Sequence, residues 1–439
     1  MKISRGYKLL FRWVLFLHRQ YYRKIEVEGK ENIPEGRVIF APNHQNAIMD
    51  ALAVLCTVEK PIFFLARGDF FKNRWLSALF RFLKIYPAYR KVEGYQQLAH
   101  NYATLAKARR WLLSGNAVCI FPEGGHEGSW RLRSLSKGLF RLALETQAEI
   151  PREPVYVVPV SIFYSSYTKW GGNLYLKFGK PINVLSAYKT WKVNKAQGVN
   201  QLKNLVYEVM QNIVLQANEK HYAFIVNIVP FAAAYYGRVD DYTFVRKFVN
   251  HCNKLSISNP ILMDLASEQF FALCKQGIPV SANCLWKKAI FVKHFYAVTL
   301  LRLCMAPFVA LLLLYLIPFL AFTKLVNHFI ADRQFHSSVR YVMLSFLPVW
   351  HGIAFFALWY LTQQALIAGI VVTFFASLSV KGYLAVDFFA NWMNEWKCYR
   401  YRQKVEWLQT EIEKILRLLN DTVPYVAEHQ SRENFVSRY

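Results

Sequence analysis

Acidic residues are scarce in this chain. Twenty-eight Asp and Glu stand against 54 Lys and Arg, a net charge of +26 over 439 residues. Paired cysteines are missing too: the seven cysteines are scattered and form no Cys-x-x-Cys pair. That excludes a disulfide framework and fits reduced thiols in a cytoplasm-facing protein. There is no zinc-finger spacing and no aromatic strand pair of the kind that stacks RNA bases, so the positive charge does not point to nucleic acid. No Gly-x-Ser-x-Gly elbow, carboxylate cluster, internal repeat or low-complexity segment occurs. Nothing therefore calls for a serine hydrolase or a metal site. The cations sit beside aromatic residues, as in Arg12-Trp13 and Arg19 to Lys24, which suits attraction to anionic membrane lipids.

What the chain has in excess is apolar residues, 54% in all, and they are concentrated. Leu303 to Phe322 holds no charge, and Tyr341 to Val380 is an uncharged run of 40 residues. A bilayer crossing takes about 20 apolar residues as a helix. The second run can hold two crossings, with Tyr360 to Gln364 as the most polar place for a turn between them. Buried helices of a large soluble core are the competing reading, but such cores rarely need runs this long. Asp387 argues against a further full crossing over Gly382–Trp392, so the number of passes stays open. Charge bias puts the N-terminal part on the cytoplasmic side. Near the start, Tyr7 to Tyr22 is interrupted by Arg12 and followed by no cleavage site, so an interfacial amphipathic helix is expected there.

Between these regions strands and helices alternate. Strands are expected at Val38–Ala41, Pro61–Ala66, Lys84–Pro87, Ala117–Phe121, Val155–Ile162 and Leu174–Phe178. Helices are expected at Ala47–Thr57, Trp75–Leu83, Gly94–Ser114, Lys137–Ala148 and Asn200–Gln216. The pattern implies an α/β domain with a mostly parallel mixed sheet, followed by an all-α membrane-associated region. The expected organisation is a basic interfacial segment (1–30), an α/β domain (31–220), a helical insert or connector (221–295), a transmembrane region (296–392) and an amphipathic C-terminal helix and tail (393–439).

Two patches carry the chemistry. His44 follows a buried strand, and Asp50 lies at the start of the next helix. A histidine with one ring nitrogen held by a carboxylate keeps the other free to take a proton from a hydroxyl. With no nucleophile motif beside it, the histidine would act on the substrate's own hydroxyl. The second patch, Phe121-Pro122-Glu123-Gly124-Gly125-His126, turns on glycines and is followed by Arg131, Arg133 and Lys137. Backbone N–H groups and cations at such a bend suit a phosphate; a solvated basic loop is the plainer alternative.

Together these segments resemble the phospholipid and glycerol acyltransferase family, typified by bacterial lysophosphatidate acyltransferase. Asn43, His44 and Asp50 match its first motif. Ile85 to Arg90 matches the second, Phe121 to Gly124 the third and Val157-Val158-Pro159-Val160 the fourth, all in order. Two departures stand out. Five residues separate His44 from Asp50 where the family has four, so the strand-to-helix turn must absorb one. Gly125-His126 replaces the family's Thr-Arg, and a neutral histidine lacks arginine's bidentate grip on phosphate. Both departures resemble the branch of fungal glycerol-3-phosphate and dihydroxyacetone-phosphate acyltransferases.

The resemblance implies transfer of a fatty acyl group from acyl-CoA or acyl-carrier protein to the hydroxyl of glycerol-3-phosphate, with no bound cofactor. His44 and Asp50 would be catalytic. Arg90, Arg131, Arg133 and Lys137 would bind phosphate, and Glu123 would position the acceptor. Backbone N–H groups near Gly124 or the start of the helix after His44 would stabilise the oxyanion. The alternatives are a 1-acylglycerol-3-phosphate acceptor, an ornithine-type aminolipid acceptor, and a non-catalytic membrane scaffold.

Overall fold

The computed structural model describes residues 4–89, 95–276, 288–330, 332 and 334–421. It contains two compact units. One comprises residues 1–214 with 315–382, the other residues 215–314 with 383–439.

The first unit begins with α1 (Arg5–Tyr21), capped by Ser4, whose hydroxyl accepts the Tyr7 N–H at 3.2 Å. Tyr7, Leu17, His18 and Tyr21 form its buried face, while Leu9 and Phe16 stay exposed. There follow β1 (Lys24–Glu28), β2 (Val38–Pro42), α2 (Ala47–Val58), β3 (Ile62–Arg67), α3 (Arg74–Phe82), β4 (Ile85–Ala88), α4 (Tyr95–Leu113), β5 (Ala117–Cys119), α5 (Gly138–Glu149), β6 (Tyr156–Tyr164), β7 (Asn173–Phe178), β8 (Ile182–Asn183), α6 (Leu185–Val193) and α7 (Lys195–Ile213).

The strands form one eight-stranded sheet in the order β1-β7-β6-β2-β5-β3-β4, with β8 on β6. Pairing is parallel from β6 through β4 and between β1 and β7; β6–β7 and β6–β8 are antiparallel. This is the mixed, mostly parallel α/β sheet that the alternating pattern implies. The central strand β2 is buried along its whole length, as expected of a parallel strand covered on both faces. Ile39, Val118, Val157, Leu139, Leu142, Leu202 and Val206 form the core between sheet and helices. Parallel strands start together, so the loops leaving β2, β5 and β6 emerge at one edge of the sheet. Open α/β sheets place their ligands at that edge.

In the second unit, α8 (Tyr222–Tyr235), α9 (Tyr242–Ser258) and α10 (Pro260–Lys275) form a helical cluster. His221 is buried there, with Nδ1 3.0 Å from Ser256 Oγ and Nε2 3.0 Å from Asp264 Oδ1.

The apolar helices are α11 (Lys288–His328), α12 (Phe335–Ser345), α13 (Leu347–Thr362) and α14 (Ala365–Ser379); α15 (Tyr383–Arg400) and α16 (Arg402–Asp421) close the chain. Among the described residues one helix, Thr299–His328 within α11, is long and apolar enough to cross a bilayer. The uncharged run does fold as two helices around the expected turn, with Gln363 in the left-handed region at φ +56°. Each is short, however. Sixteen and 15 residues rise about 24 and about 22 Å, against a hydrocarbon core of about 30 Å. They reach spanning length only when joined to a bent neighbour, as α13 is to α12 at 47°. His351, the one histidine of the run, is satisfied by Tyr315 Oη at 2.5 Å and Ser379 Oγ at 3.3 Å.

Candidate active site

Asn43 extends the pairing of β2 and β6 past Pro42. Its side-chain oxygen accepts the Ile162 N–H at 2.7 Å, and its amide donates to Ile162 O at 3.1 Å. A fully buried amide can do this only when both ends are paired, so the loop leaving β2 is fixed before His44 is reached.

His44 Nδ1 lies 2.8 Å from Asp50 Oδ2. A carboxylate only accepts, so Nδ1 carries the proton and Nε2 presents its lone pair. Nε2 takes no hydrogen bond among the described residues. The imidazole stacks on Phe121 at 4.0 Å and keeps its side chain 15% exposed. Asp50 is fully buried and held from all sides. Its Oδ2 also accepts the backbone N–H groups of Gln45 and Asn46, each at 2.7 Å, and its Oδ1 accepts Tyr164 Oη at 2.7 Å. The extra residue between His44 and Asp50 falls in a turn where Ala47 adopts φ +42°. That left-handed conformation is uncommon for a residue with a side chain, and here it lets α2 begin with Asp50 still facing the ring.

The second patch folds against the first. Glu123 Oε1 faces the His44 N–H at 3.4 Å, and Oε2 accepts Arg133 Nε at 2.8 Å. Arg133 also donates to Gly125 O. Burial raises the Glu123 pKa, opposed by the hydrogen bond and charge of Arg133. Gly124 has φ +69°, in the region glycine enters without strain. Its N–H donates to Phe121 O at 3.2 Å. The N–H groups of Gly124, Gln45 and Asn46 are therefore already committed.

His126 stands 5.3 Å from His44, ring centre to ring centre. Burial lowers its pKa below the usual histidine value, against the raising effect of a hydrogen bond to Asp332. Arg131 is half-buried and Lys137 exposed just before α5. Arg90 lies outside the described residues. The nearby thiol, Cys119, ends β5 fully buried, and burial pushes its pKa up; it presents no thiolate. Among the described residues no group of three or more His, Cys, Asp or Glu side chains could hold a metal ion.

The structure thus brings His44, Asp50, Glu123, Gly124 and Arg133 together at one sheet edge. Sequence reasoning missed Tyr164 and the buried Gln45. Gln45 fixes the loop by donating to Ser129 O at 2.7 Å and accepting from Tyr167 Oη at 3.2 Å. Its place inside the first motif was the available signal; Tyr164 lies two residues past the expected end of its strand and gave none.

Residues 24–163 match a family model described as Acyltransferase. This segment belongs to that family. The segment is also similar to curated sequences. It is 29% identical over 128 residues to a 1-acyl-sn-glycerol-3-phosphate acyltransferase of Borreliella burgdorferi, covering 29% of this chain and 49% of that protein. It is 26% identical over 158 residues to a probable 1-acyl-sn-glycerol-3-phosphate acyltransferase of Mycoplasma pneumoniae, covering 35% of this chain and 56% of that one. A match of 25% identity over 113 residues to an uncharacterised acyltransferase of Schizosaccharomyces pombe covers 25% of this chain and 17% of that protein. The chain therefore spans at most 56% of the length of these relatives. The crystal structure of the 1-acyl-sn-glycerophosphate acyltransferase of Thermotoga maritima aligns at a TM-score of 0.35 and 21% identity, over 48% of this chain and 82% of that one.

Proposed function

We propose that the protein is a membrane-bound O-acyltransferase that moves a fatty acyl group from an acyl thioester, acyl-CoA or acyl-carrier protein, to the free hydroxyl of 1-acylglycerol-3-phosphate. The observation that carries the chemistry is the His44–Asp50 pair, with Nδ1 tied to a buried carboxylate and Nε2 unengaged among the described residues.

The acceptor hydroxyl attacks the thioester carbonyl while His44 Nε2 takes its proton. The new C–O bond gives a tetrahedral oxyanion, the C–S bond then breaks, and the proton passes to the leaving thiolate. No covalent enzyme intermediate forms. Asp50 holds the tautomer and balances the imidazolium. With the N–H groups of Gly124, Gln45 and Asn46 committed elsewhere, the developing charge falls to the first N–H groups of α2, at Ala47 and Ile48. Glu123 and Arg133 engage each other, which makes them builders of the turn. Lys137, exposed just before α5, and Arg131 on the same loop are assigned to the acceptor's phosphate, with Arg90 as a third.

The names of the two bacterial relatives favour the monoacylated acceptor over glycerol-3-phosphate, the substrate expected from the sequence. We accordingly do not assign the chain to the fungal glycerol-3-phosphate branch. A cytoplasmic catalytic side, close to anionic lipid, fits the charge of +26. The test is thiol release by the full-length protein in lipid nanodiscs, with acyl-CoA and each acceptor in turn. Turnover with 1-acylglycerol-3-phosphate at least ten-fold above glycerol-3-phosphate is expected. The reverse preference moves the protein to the first acylation step, turnover only with an aminolipid overturns the phosphate assignment, and no turnover with any acceptor refutes the enzyme reading.

A further inference from the structure

Asp332 lies far outside the matched segment, shortly after α11, yet its Oδ2 is 3.0 Å from His126 Nε2. The contact has company. The Phe335 ring meets His126 edge-on at 5.0 Å and 87°. Ser337 Oγ donates to Asn46 Oδ1 at 2.8 Å, and the Asn46 N–H in turn donates to Asp50. Arg340 Nη1 donates to Thr168 O at 2.6 Å, and Tyr341 Oη to Val14 O at 2.7 Å. The start of α12 is thereby fastened over the loop that carries His44.

We propose that Asp332 is a positioning residue for acyl transfer, holding the His126 imidazole against His44, so that the segment after the long apolar helix completes the site. The inference rests on the acyltransferase reading above. Two imidazole–carboxylate pairs then stand side by side. His44 is bound to Asp50 through Nδ1, and His126 to Asp332 through Nε2. Since the carboxylate only accepts, Nε2 of His126 carries the proton. An unanchored His126 could turn its ring away from His44, and Asp332 prevents this by accepting from Nε2. It also has a local duty, because its Oδ1 accepts the Gln334 N–H at 3.0 Å ahead of α12. The two oxygens divide these tasks, which lets them be tested apart.

Asp332→Asn keeps an oxygen for the Gln334 N–H and offers His126 an N–H, so the turn is preserved and the imidazole tautomer is inverted. In the full-length protein in nanodiscs, the expected result is a fall in kcat of about ten-fold, with the acceptor KM within about two-fold and the melting temperature unchanged. In a His126→Phe background the same substitution should add nothing, since the pair acts as one unit. Asp332→Glu should recover part of the rate. Arg340→Ala, which touches the segment but not His126, should cost much less than Asp332→Asn. Wild-type kcat in Asp332→Asn overturns the proposal, as do losses that add independently in the double variant. His44→Ala is the reference. If it abolishes transfer while Asp332→Asn does not, only the role of Asp332 fails; if His44→Ala is active, the acyltransferase mechanism fails with it.

Discussion

Glu123 and Arg133 are joined at 2.8 Å through Oε2 and Nε, and the other oxygen of that carboxylate faces the His44 N–H at 3.4 Å. The pair joins the loop after β5 to the loop after β2. Its consequence is a pH-dependent stability. The folded-state pKa of Glu123 is raised, chiefly by burial, so the folded state binds more protons than the unfolded state between the two values. Stability therefore falls as pH rises through that window. Arg133→Ala removes the opposing influence, lifts the folded pKa further and extends the loss to higher pH. Melting temperature measured from about pH 4 to about pH 7 should fall more steeply in Arg133→Ala than in wild type, and flatten in Glu123→Gln.

Asp50→Asn tests the other carboxylate. His44 Nδ1 and the Gln45 and Asn46 N–H groups all use Oδ2, and Tyr164 Oη uses Oδ1. The amide therefore keeps its oxygen on the three N–H groups and turns its NH2 to the Tyr164 hydroxyl, and what is lost is the charge that balances the imidazolium. A fall in kcat of up to about 10⁴-fold is expected. Neutral in place of charge-assisted hydrogen bonds should cost about 1 kcal/mol in stability. Tyr164→Phe, which removes one donor to Oδ1, should lower kcat by about ten-fold or less.

The α/β part of the fold was legible because its strands are short apolar runs bounded by Pro or Gly, as at Val38–Ala41, ended by Pro42, and Val155–Ile162, preceded by Pro154. The edge strand β1 was not. Lys24 to Glu28 alternates charge with two apolar residues and is partly exposed, so it carries no buried-strand pattern. Helix α6 was missed for a related reason, since Lys189 and Lys192 interrupt its apolar residues. Asn194, whose side chain caps α7 by accepting from Gln197 N at 3.1 Å, moves the start of that helix to Lys195 from the expected Asn200. At the site, His44, Asp50 and Glu123 stood out because their motifs are local. The His126–Asp332 contact spans 206 residues and leaves no local trace. The membrane part was legible in composition but not in geometry, because uncharged length does not reveal the bend between α12 and α13.

Ala47 carries the strain of the longer His–Asp spacing. Ala47→Gly should be neutral or stabilising by up to about 1 kcal/mol, whereas Ala47→Val should destabilise by more than that, since a β-branched residue tolerates positive φ worst. Thermal denaturation of both variants checks the sign, and the valine variant should also lose activity because Asp50 is displaced.

Gly29 tests the sheet edge. It has φ +71°, and a Cβ there would come within 2.2 Å of Phe178 O, a backbone atom that cannot yield cheaply. Gly29→Ala should destabilise by about 2–4 kcal/mol, measured as a lowered melting temperature, with kcat of the remaining folded protein unchanged.

The decisive measurement is the single-turnover rate of acyl transfer from acyl-CoA to 1-acylglycerol-3-phosphate by full-length His44→Ala, alongside its melting temperature. A loss on the order of 10³-fold or more in a variant that melts with wild type is expected if His44 Nε2 takes the acceptor's proton. A folded variant that transfers at the wild-type rate would contradict that role for His44.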